Sequence, residues 1–206
     1  MMKARSYQRR LFKKDIEPNI LCYHDLTLNE EEIKETFKQI GLKLSDELLF
    51  DLGNLQQATN LGSLISPQTT KSELENTLAK VYLKANTSDA FLSHNIEQLI
   101  QSIKQLVLLG NKYHCVVDNP PYMGGGKMNK ELVEFIKLRY SNAKADLMTC
   151  FMESGLKMLQ PRGLLGMINL PSWMFLSSFQ QFRLYLLKNS KIESLLHLGR
   201  GIFGSD

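Results

Sequence analysis

The residues of this 206-residue chain whose types and spacing are best suited to chemistry are Asn119, Pro120, Pro121 and Tyr122. They closely follow residues 113–117, an apolar run typical of a short buried strand. Consecutive prolines cannot donate ladder hydrogen bonds, and they push the preceding residue towards an extended conformation. The tetrapeptide is therefore predicted to be a stiff loop at the carboxyl end of a strand, where open α/β sheets place their ligands. An amide, a rigid carbonyl and an aromatic ring would there face one point, which suits the binding of a planar base that carries an amino group.

The segments around this loop predict alternating strands and helices. Asn129 is a suitable N-cap, and Pro161 with Gly163 marks the end of a later helix. Such alternation indicates a doubly wound, mostly parallel sheet. The predicted elements are a strand at 113–117, helices at 129–139 and 144–159, a strand at 164–170, a helix from about 171 past 187, and a strand at 192–198.

Residues 1–110 are predicted to be mostly helical, with one or two strands. Amphipathic patterns predict helices at 30–40 and 95–109. Residues 20–23 predict a strand that leads to Asp25. The polar, proline-containing stretch at 66–77 is interpreted as a linker.

The tetrapeptide Asn-Pro-Pro-Tyr after an apolar strand resembles the catalytic motif of amino-group DNA methyltransferases, particularly the adenine-specific ones. The downstream sequence "KADLMTCFMESGLKMLQPRGLLGMINLPSWMFLSSFQQFRLYLL" is more narrowly similar to the adenine methyltransferases of BREX phage-defence systems, the PglX proteins. Within it, Asp146 matches an acid that opens the helix after the catalytic loop, and residues 172–179 match a distinctive run. The final "LLHLGRGIF" matches the strand and loop that follow. The nearest related class is the fused restriction-modification enzyme.

The resemblance implies a Rossmann-like fold, in which residues 1–206 form part of a methyltransferase catalytic domain and residues 111–206 its catalytic-loop half. The implied reaction moves a methyl group from S-adenosylmethionine to N6 of an adenine that is swung out of double-stranded DNA. By the same resemblance, Asn119 and Pro120 accept hydrogens of the exocyclic amine, Pro121 fixes the loop, and Tyr122 stacks on the base. Such stacking contributes about 1–3 kcal/mol in single-strand binders.

The cofactor side of the family pattern is incomplete in this sequence. The family uses a glycine-rich turn after the first strand and an acid after the second, and no Gly-x-Gly follows an apolar strand between Met1 and Tyr113. The opening "MMKARSYQRRLFKK" resembles the helix after the ribose-binding acid. We therefore expect a fragment, split subunit or pseudogene product that is inactive alone and whose partners include the N-terminal half or other defence-system subunits. Asp25 and Asp51 are candidate S-adenosylmethionine contacts; the alternative for both is capping at a solvated end.

Basic residues near the loop and in the first segment are candidate DNA contacts. Lys127 follows three glycines, but a Walker A loop is excluded because position 121 is Pro and position 128 is Met. Arg9 and Arg10 belong to a basic cluster with interleaved aromatics that could bind phosphates. The alternatives are a flexible connector for the first site and a solvated helix face for the second.

Composition narrows the protein class. No apolar stretch approaches 18 residues, so no membrane-spanning helix is predicted. The basic start lacks the apolar core of a signal peptide, so no signal peptide is predicted either. Three scattered cysteines are interpreted as reduced thiols of a cytoplasmic protein. The four histidines lack ligand spacing, so no metal is predicted. Two alternatives remain open: a non-catalytic DNA- or partner-binding subunit with a methyltransferase-like fold, and methylation of a protein or RNA amine.

Overall fold

The computed structural model describes residues 20–85, 90–197 and 199, so the predicted DNA contacts Arg9 and Arg10 lie outside the described residues. The described part is a mixed α/β structure in which helices precede and flank a parallel pair of strands. Short 3₁₀ turns occupy residues 55–57, 62–64, 125–127 and 177–179. The helices and strands are α1 Glu30–Gln39, α2 Asp46–Asn54, α3 Ala58–Leu61, α4 Lys71–Ala85, α5 Ala90–Leu109, β1 Tyr113–Asp118, α6 Lys130–Arg139, α7 Leu147–Lys157, β2 Leu159–Met167, α8 Ser172–Phe175 and α9 Gln180–Asn189.

The helical first half contains the two amphipathic helices that the sequence predicts. α1 begins with a capping box, because the Asn29 side chain accepts from the Glu32 amide and the Glu32 carboxylate accepts from the Asn29 amide. α4 and α5 pack against each other, and apolar side chains of α1, α2 and α5 are fully buried. The core of this half includes Ile33, Leu52 and Leu99.

The strand predicted at residues 20–23 is wrong, and the described residues 20–109 contain no strand. The backbone of this segment is hydrogen-bonded to a side chain of α5 rather than to another strand. The His24 amide donates to Gln105 Oε1 at 2.9 Å, and Gln105 Nε2 donates to the His24 carbonyl at 3.0 Å. A side chain of α5 therefore takes the place of a neighbouring strand, which a β-propensity pattern does not reveal.

The linker predicted at residues 66–77 is also wrong in its second half, because α4 begins at Lys71. The polar residues before the helix hold its start. Thr70 Oγ1 accepts from the Glu73 amide at 3.3 Å, and the Asp51 carboxylate accepts from the Gln68 and Thr69 amides at 2.8–2.9 Å. Polar residues at a helix start and polar residues in a linker have the same composition, so only these contacts distinguish them.

β1 and β2 form a parallel pair, as the alternating pattern predicts. Their register is interrupted between Tyr113, which pairs with Leu159, and Cys115, which pairs with Leu164. The extra residues of β2 include Arg162, whose φ is +66°. β2 begins at Leu159 and includes Pro161, whereas the sequence predicted a strand that begins at residue 164.

α7 covers one face of this strand pair at short range. Gly155 of α7 lies over β2 so closely that a Cβ there would be 2.8 Å from Leu165 Cδ1 and 3.7 Å from Val116 Cγ1. A glycine is therefore required for this helix–sheet distance unless Leu165 moves.

The last predicted elements differ from the structure. The helix predicted from 171 past 187 is divided into α8 and α9, since Leu176 is extended with ψ of 141°. Arg183 Nη1 donates to the Trp173 and Leu176 carbonyls at 2.8 and 2.7 Å, which stabilises the break. The strand predicted at 192–198 is wrong over its described residues 192–197, which are exposed and unpaired with any strand.

Candidate functional site

The Asn119–Tyr122 loop leaves the carboxyl end of β1, as the sequence predicts. The Ile168 amide donates to the Asp118 carbonyl at 3.2 Å, which keeps the chain beyond β2 beside the start of the loop. Pro120 is buried, whereas Asn119, Pro121 and Tyr122 are exposed. Pro120 thus anchors the loop in the fold, and the Asn119 and Tyr122 side chains stay accessible to a ligand.

The Tyr122 hydroxyl connects this loop to the end of β2. It donates to the Ile168 carbonyl at 3.2 Å and lies 3.4 Å from Asn119 Oδ1. The amide oxygen of Asn119 is therefore directed towards the tyrosine, and it retains accepting capacity for a ligand donor. Sequence reasoning missed Ile168; the available signal was that two parallel strands place their carboxyl ends side by side.

Asp146 holds the far end of the loop. Its Oδ1 accepts from the Met123 amide at 3.2 Å and from the Met148 amide at 2.9 Å, which makes it the N-cap of α7 as well. The Leu147 amide donates to the Met123 carbonyl at 2.9 Å, and Gly124 forms an isolated antiparallel bridge with Asp146. The loop is therefore fixed at both ends.

Asp118 is a titratable group at the root of the loop that sequence reasoning did not select. Burial raises the pKa of its carboxyl above the usual range, and the backbone hydrogen bond from Asn119 partly offsets this shift. Asp118 directly precedes Asn119, so the charge of the Asp118 carboxylate contributes to the electrostatic field at the loop.

Lys127, a predicted DNA contact, is exposed at the end of the 3₁₀ turn Gly125–Lys127. A shallow cavity of about 270 Å³ lies beside this turn and has two further lysines in its wall. Its lining residues are Gly125, Met128, Val133, Ile136, Lys137 and Lys144.

Asp25 and Asp51, the predicted cofactor residues, form hydrogen bonds away from the loop. The Asp25 carboxylate accepts from the Thr59 amide at 2.8 Å and from its hydroxyl at 2.9–3.0 Å. Asp51 is fully buried, and both its oxygens accept from backbone amides ahead of α4. Each carboxylate is thus occupied by donors of the fold itself, Asp25 by those of Thr59 and the buried Asp51 by the amides of Gln68 and Thr69.

The described residues also bear on metal and membrane binding. Within them, no group of three or more His, Cys, Asp or Glu side chains is placed to hold a metal ion. None of the helices in the described ranges combines the length and apolar character needed to cross a membrane.

Comparison with known proteins places the site in context. Residues 9–203 match the family described as Eco57I restriction-modification methylase. The chain is 33% identical over 226 aligned positions to adenine-specific methyltransferase BrxX of Escherichia coli O9:H4 (strain HS), covering 99% of the chain and 19% of that protein. It is 32% identical over 210 positions to adenine-specific methyltransferase PglX of Lacticaseibacillus casei (strain Zhang), covering 98% and 17%. The chain spans about a fifth of the length of these relatives. The resemblance to PglX that the sequence suggested is confirmed.

Proposed function

This chain belongs to the Eco57I restriction-modification methylase family, and on that basis we propose that it carries the acceptor side of an adenine-specific DNA methyltransferase. The substrate is the N6 amine of an adenine rotated out of double-stranded DNA, and S-adenosylmethionine is the methyl donor. The enzyme acts in phage defence or restriction-modification, in the cytoplasm.

The observation that carries this proposal is the geometry of the Asn119–Tyr122 loop. An exposed amide oxygen and an exposed aromatic ring lie beside each other, and both are held by the ends of two parallel strands. A flipped adenine has a flat π surface for Tyr122 and two amine hydrogens for Asn119 Oδ1 and the Pro120 carbonyl. No strong base is needed, because accepting these hydrogens directs the lone pair of the amine nitrogen towards the methyl group of the donor.

Two concave sites of the described residues hold about 270 and 370 Å³, and neither is lined by Asn119 or Tyr122. The carboxylates of Asp25 and Asp51 are occupied by backbone and hydroxyl donors. We therefore derive the acceptor side alone from these residues, and we expect the isolated chain not to methylate DNA.

DNA contacts are part of the same proposal. Lys127 is exposed next to the loop, which suits a phosphate on the strand that carries the flipped base. Arg9 and Arg10 add phosphate contacts. Such contacts carry no sequence information, and they weaken as salt rises.

The experiment uses a hybrid protein in which residues 9–203 of this chain replace the matched segment of the E. coli relative. N6-methyladenine in the host DNA is measured by mass spectrometry. Asn119→Ala should reduce methylation by a factor of about 10² or more, as loss of one preorganised polar group does in other enzymes. The matched control is Asn189→Ala at the exposed end of α9, which should leave methylation unchanged.

Two results would contradict the proposal. One is full methylation by the folded Asn119→Ala hybrid. The other is a folded hybrid with the unaltered loop that still leaves DNA unmethylated, a result that favours the non-catalytic binding subunit.

A further inference from the structure

A glycine-rich strap, defined as residues 124–127, begins two residues after Tyr122. At its start the strap is bridged to Asp146, and just beyond its end Asn129 caps α6. Residues 125–127 lie between these two fixed points and are exposed. The strap is therefore attached at both ends and open to solvent in the middle, directly beside the Asn119–Tyr122 loop.

The fold itself does not account for the glycines in the middle of the strap. Neither Gly125 nor Gly126 has the positive φ at which glycine is favoured. A Cβ at either position would also meet nothing within 4 Å. Another reason for glycine is the close approach of a ligand to the protein backbone. These two positions thus indicate a ligand that passes close to the exposed side of the strap.

The strap borders the cavity of about 270 Å³, and the side chains around this lysine cleft indicate the chemistry of the ligand. Two exposed lysines, Lys137 and Lys144, stand in its wall, and its described lining includes no acid. Among the described residues, these two lysines and Lys127 form no ion pair or hydrogen bond. The apolar residues of the lining, which are buried or half-buried, are Met128, Val133 and Ile136.

We propose that the strap and the lysine cleft together form a clamp for the sugar–phosphate backbone of the DNA strand that carries the flipped adenine. Lys127, Lys137 and Lys144 contact phosphate oxygens, and the apolar lining lies against a deoxyribose. Gly125 and Gly126 let the strand approach the protein backbone. This inference rests on the proposed function for the identity of the ligand, and it does not depend on methyl transfer.

The position of the clamp determines which part of the strand it holds. Gly125 is three residues from Tyr122, so their Cα atoms are at most about 11 Å apart. A DNA strand rises by about 3.4 Å per nucleotide, so the clamp holds phosphates within about three nucleotides of the flipped base. Phosphate contacts fix the register of a protein on DNA. The clamp therefore positions the adenine against Asn119 and leaves base recognition to other residues.

The test compares two double substitutions that remove the same charge. Lys137→Gln with Lys144→Gln alters the clamp, and Lys34→Gln with Lys38→Gln is the matched control, since both of these lysines are exposed on α1. Binding of the complete chain to a fluorescein-labelled DNA duplex is followed by anisotropy over a series of KCl concentrations. The clamp variant should reduce the slope of log affinity against log salt by about 1–2, because each phosphate contact contributes about 0.9. The control should keep the slope of the unaltered chain.

A second variant tests the strap. Gly125→Ala with Gly126→Ala adds methyl groups where the fold has room, so Tm should be unchanged or slightly higher. The same methyl groups obstruct the approach of the strand, so Kd for the duplex should rise by about tenfold, which corresponds to about 1.4 kcal/mol. Gly53→Ala is the control, because Gly53 is also exposed with nothing within 4 Å of its Cβ position and lies on α2. It should leave Kd unchanged.

Any of four results refutes the clamp. Equal salt slopes in the two lysine variants would show that the lysine cleft contacts no phosphate. Unchanged affinity in the folded glycine variant would remove the strap from the site, and a lower Tm would show that the fold itself requires the glycines. Displacement of the duplex by inorganic phosphate at constant ionic strength would assign the cleft to a free phosphate group. None of these readouts needs methylation, so the clamp and the methylation assay of the hybrid can fail separately.

Discussion

At the scale of single residues, the site depends on how a short loop is fixed at two points. Tyr122 reaches the Ile168 carbonyl beyond β2, and Asp146 receives the Met123 amide at the start of α7. Between them, Pro120 is buried and restricts the backbone. The orientation of Asn119 therefore depends on residues that need not touch a base, and Asp146 is a positioning residue in this sense.

We predict that Asp146→Ala loosens the loop and lowers stability by about 1–2 kcal/mol, the usual effect of removing an N-cap. For a chain of this size such a loss lowers Tm by roughly 2–8 °C. Hydrogen exchange at the Met123 amide should also become faster, because Asp146 Oδ1 is its acceptor. Asp146→Asn keeps an acceptor oxygen and should retain most of both properties.

Ser45→Ala is the matched control, since Ser45 caps α2 by accepting from the Leu48 amide at 3.2 Å and has no contact with the loop. It should lower Tm comparably and leave exchange at Met123 unchanged. Unchanged exchange at Met123 in Asp146→Ala as well would refute the positioning role.

At the scale of elements, the segment at residues 60–66 links the helical half to the strand-bearing half. The Tyr140 hydroxyl, at the end of α6, donates to the Leu64 carbonyl at 2.6 Å, and Ser154 Oγ of α7 donates to the Ser63 carbonyl at 2.9 Å. Asn129 Nδ2 donates to Asn60 Oδ1 at 2.9 Å. The region that holds the Asn119–Tyr122 loop is therefore joined to the preceding helices by hydrogen bonds as well as by apolar packing.

This junction makes stability sensitive to alkali. Burial raises the pKa of Tyr140 from 10.0 to about 12, and burial, followed by the charge of Glu153, raises the pKa of Cys150 from 9.0 to about 12. Well below pH 9 both groups are protonated in the folded and unfolded chains, so stability is independent of them there. Above pH 9 the unfolded chain releases these protons first, so stability falls as pH rises until the folded pKa values are passed.

We predict a decline in the free energy of unfolding between pH 9 and about 12, measured by urea denaturation at each pH. Tyr140→Phe should reduce the slope above pH 10, although it loses the hydrogen bond to Leu64 and is less stable at neutral pH. Tyr82→Phe, at an exposed position on α4, is the control and should leave the profile unchanged. An identical slope in Tyr140→Phe would contradict the assignment.

The elements near the loop were predictable, and those far from it less so. β1 and the helix capped by Asn129 followed from local signals: an apolar run that ends in prolines, and a capping residue before a periodic pattern. No strand forms at 20–23, or over the described residues 192–197 of the strand expected at 192–198, because a strand needs a neighbour, and that neighbour is not a property of its own sequence. The hydrogen bond from Tyr122 to Ile168 joins segments 46 residues apart, so no local pattern could reveal it.

At the scale of the whole molecule, the described residues combine a helical core with a sheet of two strands. Many apolar side chains of the helical half are fully buried, whereas Val117, Leu164 and Ile168, on or just beyond the two strands, are exposed. The relatives continue well beyond the region that they share with this chain. The acceptor loop and any donor site can therefore be tested separately, the first in the hybrid protein and the second in the free chain.

The last prediction concerns the methyl donor itself. We predict that calorimetric titration of the free chain with S-adenosylmethionine gives no saturable binding tighter than about 1 mM, which is about −4 kcal/mol. The sequence contains no Gly-x-Gly after an apolar strand before β1, and the carboxylates of Asp25 and Asp51 are already hydrogen-bonded within the fold. An adenosyl group would have to displace the Thr59 donors from Asp25, or open the buried surroundings of Asp51, before either could receive a ribose hydroxyl. Micromolar binding would contradict the prediction. If that binding were then lost in Asp25→Ala at unchanged Tm, the donor pocket would lie beside α3, within the part of the chain that the structure describes.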